Sequence, residues 1–232
     1  MQIGDNSKEG DTVALVLAAG SGTRLGMGPK AFLRLGESTL LARVVDVLSG
    51  CVDRILVGVP KTHIKQALAE VGNQAEVYPG GDTRHATILT LFERTNEDVV
   101  LIHDVARPFI SESLVRRVLG AAQYAGAATA IATLNTPMIT IKNDAIQETF
   151  PRFASGIGQC PNVFHRNILQ KALRFALDNN IKDLVPFELL IAQGIPVRAV
   201  PSGEYNIKIT SMLDWEIATR VIAPRLFGCQ EM

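Results

Sequence analysis

The chain has 232 residues, 47% hydrophobic and 20% charged, with 23 Lys and Arg balanced by 23 Asp and Glu. Zero formal net charge and scattered basic residues exclude a broad electrostatic footprint for nucleic acid or an anionic membrane, although a small anionic ligand needs only a local patch. No apolar run approaches the roughly 20 residues of a membrane-spanning helix, the polar start MQIGDNSKEG lacks the parts of a secretory signal, and Cys51, Cys160 and Cys229 fall outside any metal spacing, so the expectation is a cytoplasmic protein with reduced thiols.

In chain order, apolar runs and periodicity predict a strand over 12–19, a helix near 37–49, a strand over 54–60, a helix near 61–71, a short strand over 76–78, a helix near 83–94 and a strand over 98–104. A helix near 112–125, a strand over 126–133, helices near 164–179 and 185–193, a strand over 196–201 and a helix near 211–223 follow. Strands apolar on consecutive residues suit a parallel sheet covered on both faces, so the expected class is α/β, doubly wound, with the early and late halves sharing one sheet. The segment 134–153 breaks this rhythm: short β-prone pieces flank an Asn-Asp turn and carry little apolar mass. It reads either as an edge hairpin folded over its own sheet or as a projecting arm exchanged in a dimer, the second being preferred. No linker divides the chain, so residues 1–232 are expected to form one domain with this arm.

In an open α/β sheet ligands gather at the carboxyl ends of strands, which points to AAGSGTR after the first strand. Gly20 and Gly22 allow backbone amides to approach an anion unobstructed. The motif is neither a P-loop nor a full dinucleotide fingerprint, and a bare G-x-G also occurs in plain tight turns. Arg24 and Lys30 strengthen it, because two permanent cations beyond an amide nest suit the charge that develops as pyrophosphate leaves a triphosphate. For HDVARP (103–108) the residues alone allow a plain strand exit in which Asp104 caps a helix or pairs with Arg107. His103 reads as a structural or positioning residue, since phosphoryl-type chemistry needs little proton transfer from a side chain. His63, His85 and His165 are expected on helices without a second metal ligand nearby.

LAAGSGTRLG followed by PKAFLRLG resembles the nucleotidyltransferases that load a sugar or polyol phosphate onto a nucleotide. GGDTRHAT (80–87), HDVARP and NIKIT (206–210) narrow the likeness to the cytidylyltransferases typified by the 2-C-methyl-D-erythritol 4-phosphate cytidylyltransferase family, with relatives that make CDP-ribitol. The resemblance runs from about residue 12 to residue 220 and implies the Rossmann-like sheet of the nucleotide-diphospho-sugar transferases. It implies that Ala18, Ala19, Gly20 and Ser21 hold the CTP phosphates through their backbone, and that Arg24 and Lys30 stabilise the transition state. Gly80, Gly81, Asp82 and Thr87 would line the cytosine and ribose pocket. Asp104, with Val105 beside it, would lie near the nucleotide and Mg²⁺. Arg107, Thr136, Arg152 and Lys208 would grip the acceptor's phosphate, Thr136 and Arg152 reaching across a homodimer.

The chain departs from the family pattern on the acceptor side, with Leu134-Asn135-Thr136, Cys160-Pro161-Asn162 and Val185-Pro186 where the family carries other residues. The expected activity is therefore transfer of CMP from CTP to a polyol phosphate, 2-C-methyl-D-erythritol 4-phosphate first. The alternatives are ribitol 5-phosphate or another phosphorylated or phosphonate alcohol as acceptor, or a nucleotide-binding protein without catalysis.

Overall fold

The computed structural model describes residues 11–181 and 185–228; Cys229, Leu184 and the first ten residues lie outside them. The chain opens with β1 (Thr12–Leu17), the short hairpin of β2 (Arg34–Leu35) and β3 (Ser38–Thr39), and α1 (Leu40–Ser49). Next come β4 (Arg54–Val59), α2 (Ile64–Val71), β5 (Glu76–Pro79), α3 (Arg84–Phe92), β6 (Val99–Asp104) and α4 (Glu112–Ala125). The later half comprises β7 (Ala127–Thr133), the arm strands β8 (Met138–Lys142) and β9 (Ala145–Phe150), β10 (Gly156–His165), α5 (Arg166–Asp178), α6 (Pro186–Ala192) and β11 (Arg198–Pro201). The last helix begins as α7 (Met212–Ile217) and passes through a π-helical stretch, Ala218–Ile222, into α8 (Ala223–Phe227).

Seven strands form one sheet in the order β11-β7-β10-β6-β1-β4-β5, parallel throughout except for β10. Along β1, Val13, Leu15 and Leu17 face one side and Ala14 and Val16 the other, so a strand apolar at every position feeds two cores. Helices α1, α2, α4 and the last helix cover one face, and α3, α5 and α6 the other. Threonine and serine fix several starts: Thr39, Thr83 and Ser111 accept the amides of Ala42, Ala86 and Leu114 at 3.1, 3.0 and 3.3 Å. Gly126 ends α4 in the left-handed region at φ 77°, which favours glycine.

Three expectations change. β10 is absent from the elements predicted above, yet it lies between β6 and β7 as the one antiparallel member of the sheet. Its sequence, GIGQCPNVFH, begins with glycines, contains Pro161 in a cis bond to Cys160 and is bulged between Gly158 and Asn162, all of which disguise a strand. The helix expected from residue 37 starts at Leu40 because Ser38 and Thr39 pair with Leu35 and Arg34. His165 ends β10 rather than lying in a helix, and His63 closes a 3₁₀ turn.

The arm is a separate two-stranded sheet, every residue of β8 and β9 exposed, turned at Asn143 and Asp144 with φ 51° and 59°. Both central residues at positive φ match the primed turn that suits hairpin twist. It does not fold over the main sheet.

Phe164, fully buried on β10, tests the unexpected strand. Phe164→Ala should cost about 3–5 kcal/mol in urea-induced unfolding, whereas a peripheral segment would give well under 1 kcal/mol.

Candidate active site

Successive connections carry the chain from β1 to β4 and β5 on one side, and β6 then returns to the other side of β1. At such a switch point the loops leaving two neighbouring strands diverge and leave a crevice. Here that crevice is a cleft of about 350 Å³, lined by the loop after β1, by Lys30, by Gly81 to Arg84 with Thr87, by Asp104 to Ala106 and by Lys208.

The first loop is shaped by its own backbone. Leu25 and Gly26 donate to the Gly22 carbonyl at 3.0 and 3.1 Å. Gly22 has φ 72°, and a Cβ there would meet the Gly28 carbonyl oxygen at 1.9 Å. Gly20 has no such constraint and faces open space, so its glycine leaves room for a ligand instead of serving a turn. The Ala18 amide is spent on the Gly58 carbonyl at 2.8 Å, which removes Ala18 from the expected phosphate cradle. Among the described residues nothing takes up the amides of Ala19, Gly20 and Ser21, which line the cleft.

Arg24 also lines the cleft, exposed and without an ion-pair partner among the described residues. Lys30 enters it from a 3₁₀ turn that starts after the extended Pro29, and its Nζ donates to the Ile209 carbonyl at 2.9 Å. Burial lowers the Lys30 pKa, and the charges of Arg24 and Lys208 add to that, against Asp214 and Asp104. Surplus positive charge around Lys30 is what an incoming polyanion would relieve.

The GGD loop is held from behind. The Thr87 hydroxyl donates to the Thr83 carbonyl at 3.0 Å and accepts the Gly81 amide at 3.1 Å, so this 2% exposed side chain supports the loop more than it faces the cleft. Gly80 donates to Val59 and lies so close to the first loop that a Cβ would stand 2.5 Å from the Ala19 Cβ. Gly80 therefore sets the spacing of two loops, while Gly81 and Asp82 line the cleft.

Asp104, at the end of β6, has a cation on each oxygen: Arg84 Nε at 3.2 Å from Oδ1 and Lys208 Nζ at 2.8 Å from Oδ2. Burial works to raise its pKa, but the charges of Arg84 and Lys208 prevail and hold it well below the usual carboxylate range. The alternative in which Asp104 pairs with Arg107 is not found among the described residues. Arg107 is buried, its Nη1 donates to the Asn206 carbonyl at 2.7 Å, and its own carbonyl accepts His103 Nε2 at 3.0 Å. Arg107 is not among the residues that line the cleft, and its guanidinium bonds through Nη1 while Nε has no partner among the described residues. Val105 lines the cleft, but its amide goes to the Leu17 carbonyl.

Lys208 arrives on a segment pinned on both sides of it, at Asn206 and at Ile209 and Thr210. Asn206 Nδ2 donates to the Cys160 carbonyl at 2.7 Å, Ile209 N donates to Ala106 O at 2.8 Å, and Thr210 N and Oγ1 bond Asp214 Oδ2 at 2.8 and 2.6 Å. Thr136 and Arg152 do not join Lys208 within one chain: both are exposed, and Arg152 lines a different concavity at the base of the arm. Arg84 is the cleft cation that the sequence motifs do not single out. Its only signal is its place after GGDT.

A model of the 2-C-methyl-D-erythritol 4-phosphate cytidylyltransferase family matches residues 12–223. The chain is 35% identical over 207 residues to that enzyme from Deinococcus radiodurans, covering 89% of this chain and 88% of the relative. It is 36% identical over 204 residues to the Thermus thermophilus enzyme, covering 88% and 93%. A crystal structure of 2-C-methyl-D-erythritol 4-phosphate cytidylyltransferase from Thermus thermophilus superposes with a TM-score of 0.77 at 32% identity, over 92% of this chain and 98% of that one. The structure of 4-diphosphocytidyl-2C-methyl-D-erythritol synthase from Anaerococcus prevotii shares the fold with a TM-score of 0.80 at 23% identity, covering 91% and 98%.

His103 behind the cleft makes stability pH-dependent. Burial pushes its pKa down to about 4, so the folded imidazole stays neutral where an unfolded histidine takes up a proton. Its contribution is complete above the unfolded value of about 6.5 and is lost as pH falls toward the folded one. Chemical unfolding near pH 7.5 and near pH 5 should differ by about 2 kcal/mol from this group, and His103→Gln should flatten that slope.

Proposed function

The chain belongs to the 2-C-methyl-D-erythritol 4-phosphate cytidylyltransferase family, and we propose that it is a nucleotidyltransferase that transfers CMP from CTP to 2-C-methyl-D-erythritol 4-phosphate, releasing pyrophosphate, for isoprenoid precursor synthesis. The observation that carries this reading is the union, at one switch point, of an amide-lined loop with Arg24 and Lys30 on one wall and Asp104 with Lys208 on the other. Those are two anion-binding places separated by a carboxylate, as a reaction between a triphosphate and a phosphomonoester requires.

In the proposed mechanism the amides of Ala19, Gly20 and Ser21 hold the triphosphate, and Gly81 and Asp82 border the base and ribose. A phosphate oxygen of the acceptor attacks the α-phosphorus in line. The bond from that phosphorus to the bridging oxygen of the β-phosphate breaks, and its electron pair leaves with pyrophosphate. Arg24 and Lys30 stabilise the charge that grows on the α-phosphate and the leaving group, and Lys208 orients the attacker. No covalent intermediate and no proton transfer from His103 is needed, in keeping with an imidazole buried behind the cleft.

The donor set fits Mg²⁺ held mainly by substrate. Among the described residues no three His, Cys, Asp or Glu gather as a metal cage; of the two carboxylates that line the cleft, Asp82 and Asp104, we assign Asp104 to the place beside the phosphates. Mg²⁺ is usually held by one or two carboxylates plus phosphate oxygens and water. When bound it would supply charge neutralisation across the phosphates.

We further propose a homodimer in which each arm brings Thr136 and Arg152 to its partner's cleft. Within one chain these residues stand apart from Lys208, while Ile139, Ile141, Ile146, Phe150 and Phe153 on and beside the arm are exposed apolar surface of the kind a second copy would cover. Among the described residues no helix is long and apolar enough to cross a membrane. A cytoplasmic setting suits the supply of CTP and the free thiols of Cys51 and Cys160.

Pyrophosphate release should require CTP, Mg²⁺ and 2-C-methyl-D-erythritol 4-phosphate, and should be slower with ribitol 5-phosphate or glycerol 3-phosphate. CTP binding with no release across that panel would overturn the reading. Lys30→Ala should lower kcat by about 100-fold or more while CTP affinity falls far less. In sedimentation the chain should run as a dimer, and Arg152→Ala should raise the acceptor KM by about 10-fold or more with the dimer intact, since one charge-assisted contact is lost.

A further inference from the structure

The cation least explained by that mechanism is Arg84. We infer that Arg84 is a positioning residue: it anchors the Asp104 carboxylate while Lys208 is drawn off to the acceptor's phosphate. This rests on the reading of the cleft given above and extends it to a residue with no role there.

Three observations single Arg84 out. First, it occupies the opening position of α3, after the Thr83 cap, where the helix dipole disfavours a cation. Its side chain is only 29% exposed, so burial works against the charge as well. Neither helix formation nor solvation explains an arginine at that place. Second, Asp104 divides its oxygens, Oδ1 to Arg84 and Oδ2 to Lys208, which fixes the carboxylate plane from both ends. Third, the two cations differ in freedom. Lys208 is the more exposed, 39% against 29%, and carries a point charge on a flexible stem. Arg84 leaves a capped helix start.

If Lys208 moves to grip a phosphate, Asp104 loses the bond on Oδ2 and keeps only the one on Oδ1. Without Arg84 the carboxylate would be free to turn, or to follow the ammonium and hold it back from the acceptor. Arg84 also ties the acceptor side to the nucleotide side, because it follows directly on the loop of Gly81 and Asp82 that Thr87 braces. A nucleotide seated on that loop therefore bears on the same helix start that orients Asp104.

The test compares wild type with Arg84→Gln and Arg84→Lys by steady-state pyrophosphate release, CTP calorimetry and thermal unfolding. Arg84→Gln should lower kcat by about 100-fold and raise the acceptor KM several-fold, with CTP affinity unchanged within about 3-fold, because a contact that orients groups for reaction is lost and not a nucleotide contact. Arg84→Lys keeps charge without the guanidinium fork, so it should restore thermal stability but recover only about 10-fold of kcat. Wild-type kinetics in Arg84→Gln would overturn the inference and leave the proposed reaction standing. So would a fall in CTP affinity as large as the fall in kcat/KM, which would make Arg84 a nucleotide contact, or full recovery of kcat by lysine, which would make it a structural ion pair. Absence of turnover in the wild-type enzyme would overturn the proposed reaction itself, and the inference with it.

Discussion

The cleft depends on a carboxylate that remains ionised in a nearly dry place. Asp104 ends a central strand with its side chain 11% exposed, where an isolated charge would be costly. Arg84 from α3 and Lys208 from the last third of the chain each neutralise one oxygen. Removing either partner would leave a buried charge half compensated, which is the arrangement that destabilises most. Because the cations come from segments far apart in sequence, one charge draws together β6, the start of α3 and the 206–210 segment.

The glycines act on the other wall by setting distances. Gly22 lets the first loop fold back onto Gly28, and Gly80 lets the GGD loop lie against Ala19. A methyl group at either position would meet protein atoms far inside contact distance, so these two loops keep their separation by sterics. The two walls then meet at Lys30, whose ammonium is held by the Ile209 carbonyl on the segment that also carries Lys208. That hydrogen bond ties the wall that carries Lys30 to the segment that carries Lys208. Behind it, Arg107 fastens that segment to the β6 exit through the Asn206 carbonyl.

The arm is organised differently. Its strands pair with each other, and their side chains all remain exposed, so nothing within one chain buries them. A two-stranded ribbon of that kind is marginal alone in water. Its geometry comes from the local turn at Asn143 and Asp144, whereas its stability belongs to whatever it meets. This separates Thr136 and Arg152 from the rest of the proposed phosphate grip in a way that residue order could not reveal.

The sequence determined the α/β class, the six parallel strands and the place of the cleft, because runs of consecutive apolar residues and glycine-rich strand exits are local signals set by burial and backbone sterics. It also marked Arg24, Lys30 and Asp104, whose motifs follow or end strands, where ligands gather in such sheets, while Lys208 was marked only by the resemblance of NIKIT to a family motif. What it hid were features fixed by contacts between distant segments. β10 is a strand by pairing with β6 and β7, although its glycines and cis-proline argue locally against one. Ala18 lies in the right motif, but a tertiary hydrogen bond to Gly58 consumes the amide that would have bound a ligand, and Arg107 is turned by its bond to the Asn206 carbonyl toward the segment behind the cleft. Arg84 reads as an ordinary helix residue until the fold sets Asp104 beside it. Local patterns state which chemistry a segment can offer, and only the tertiary structure decides which donors and charges remain available for a ligand.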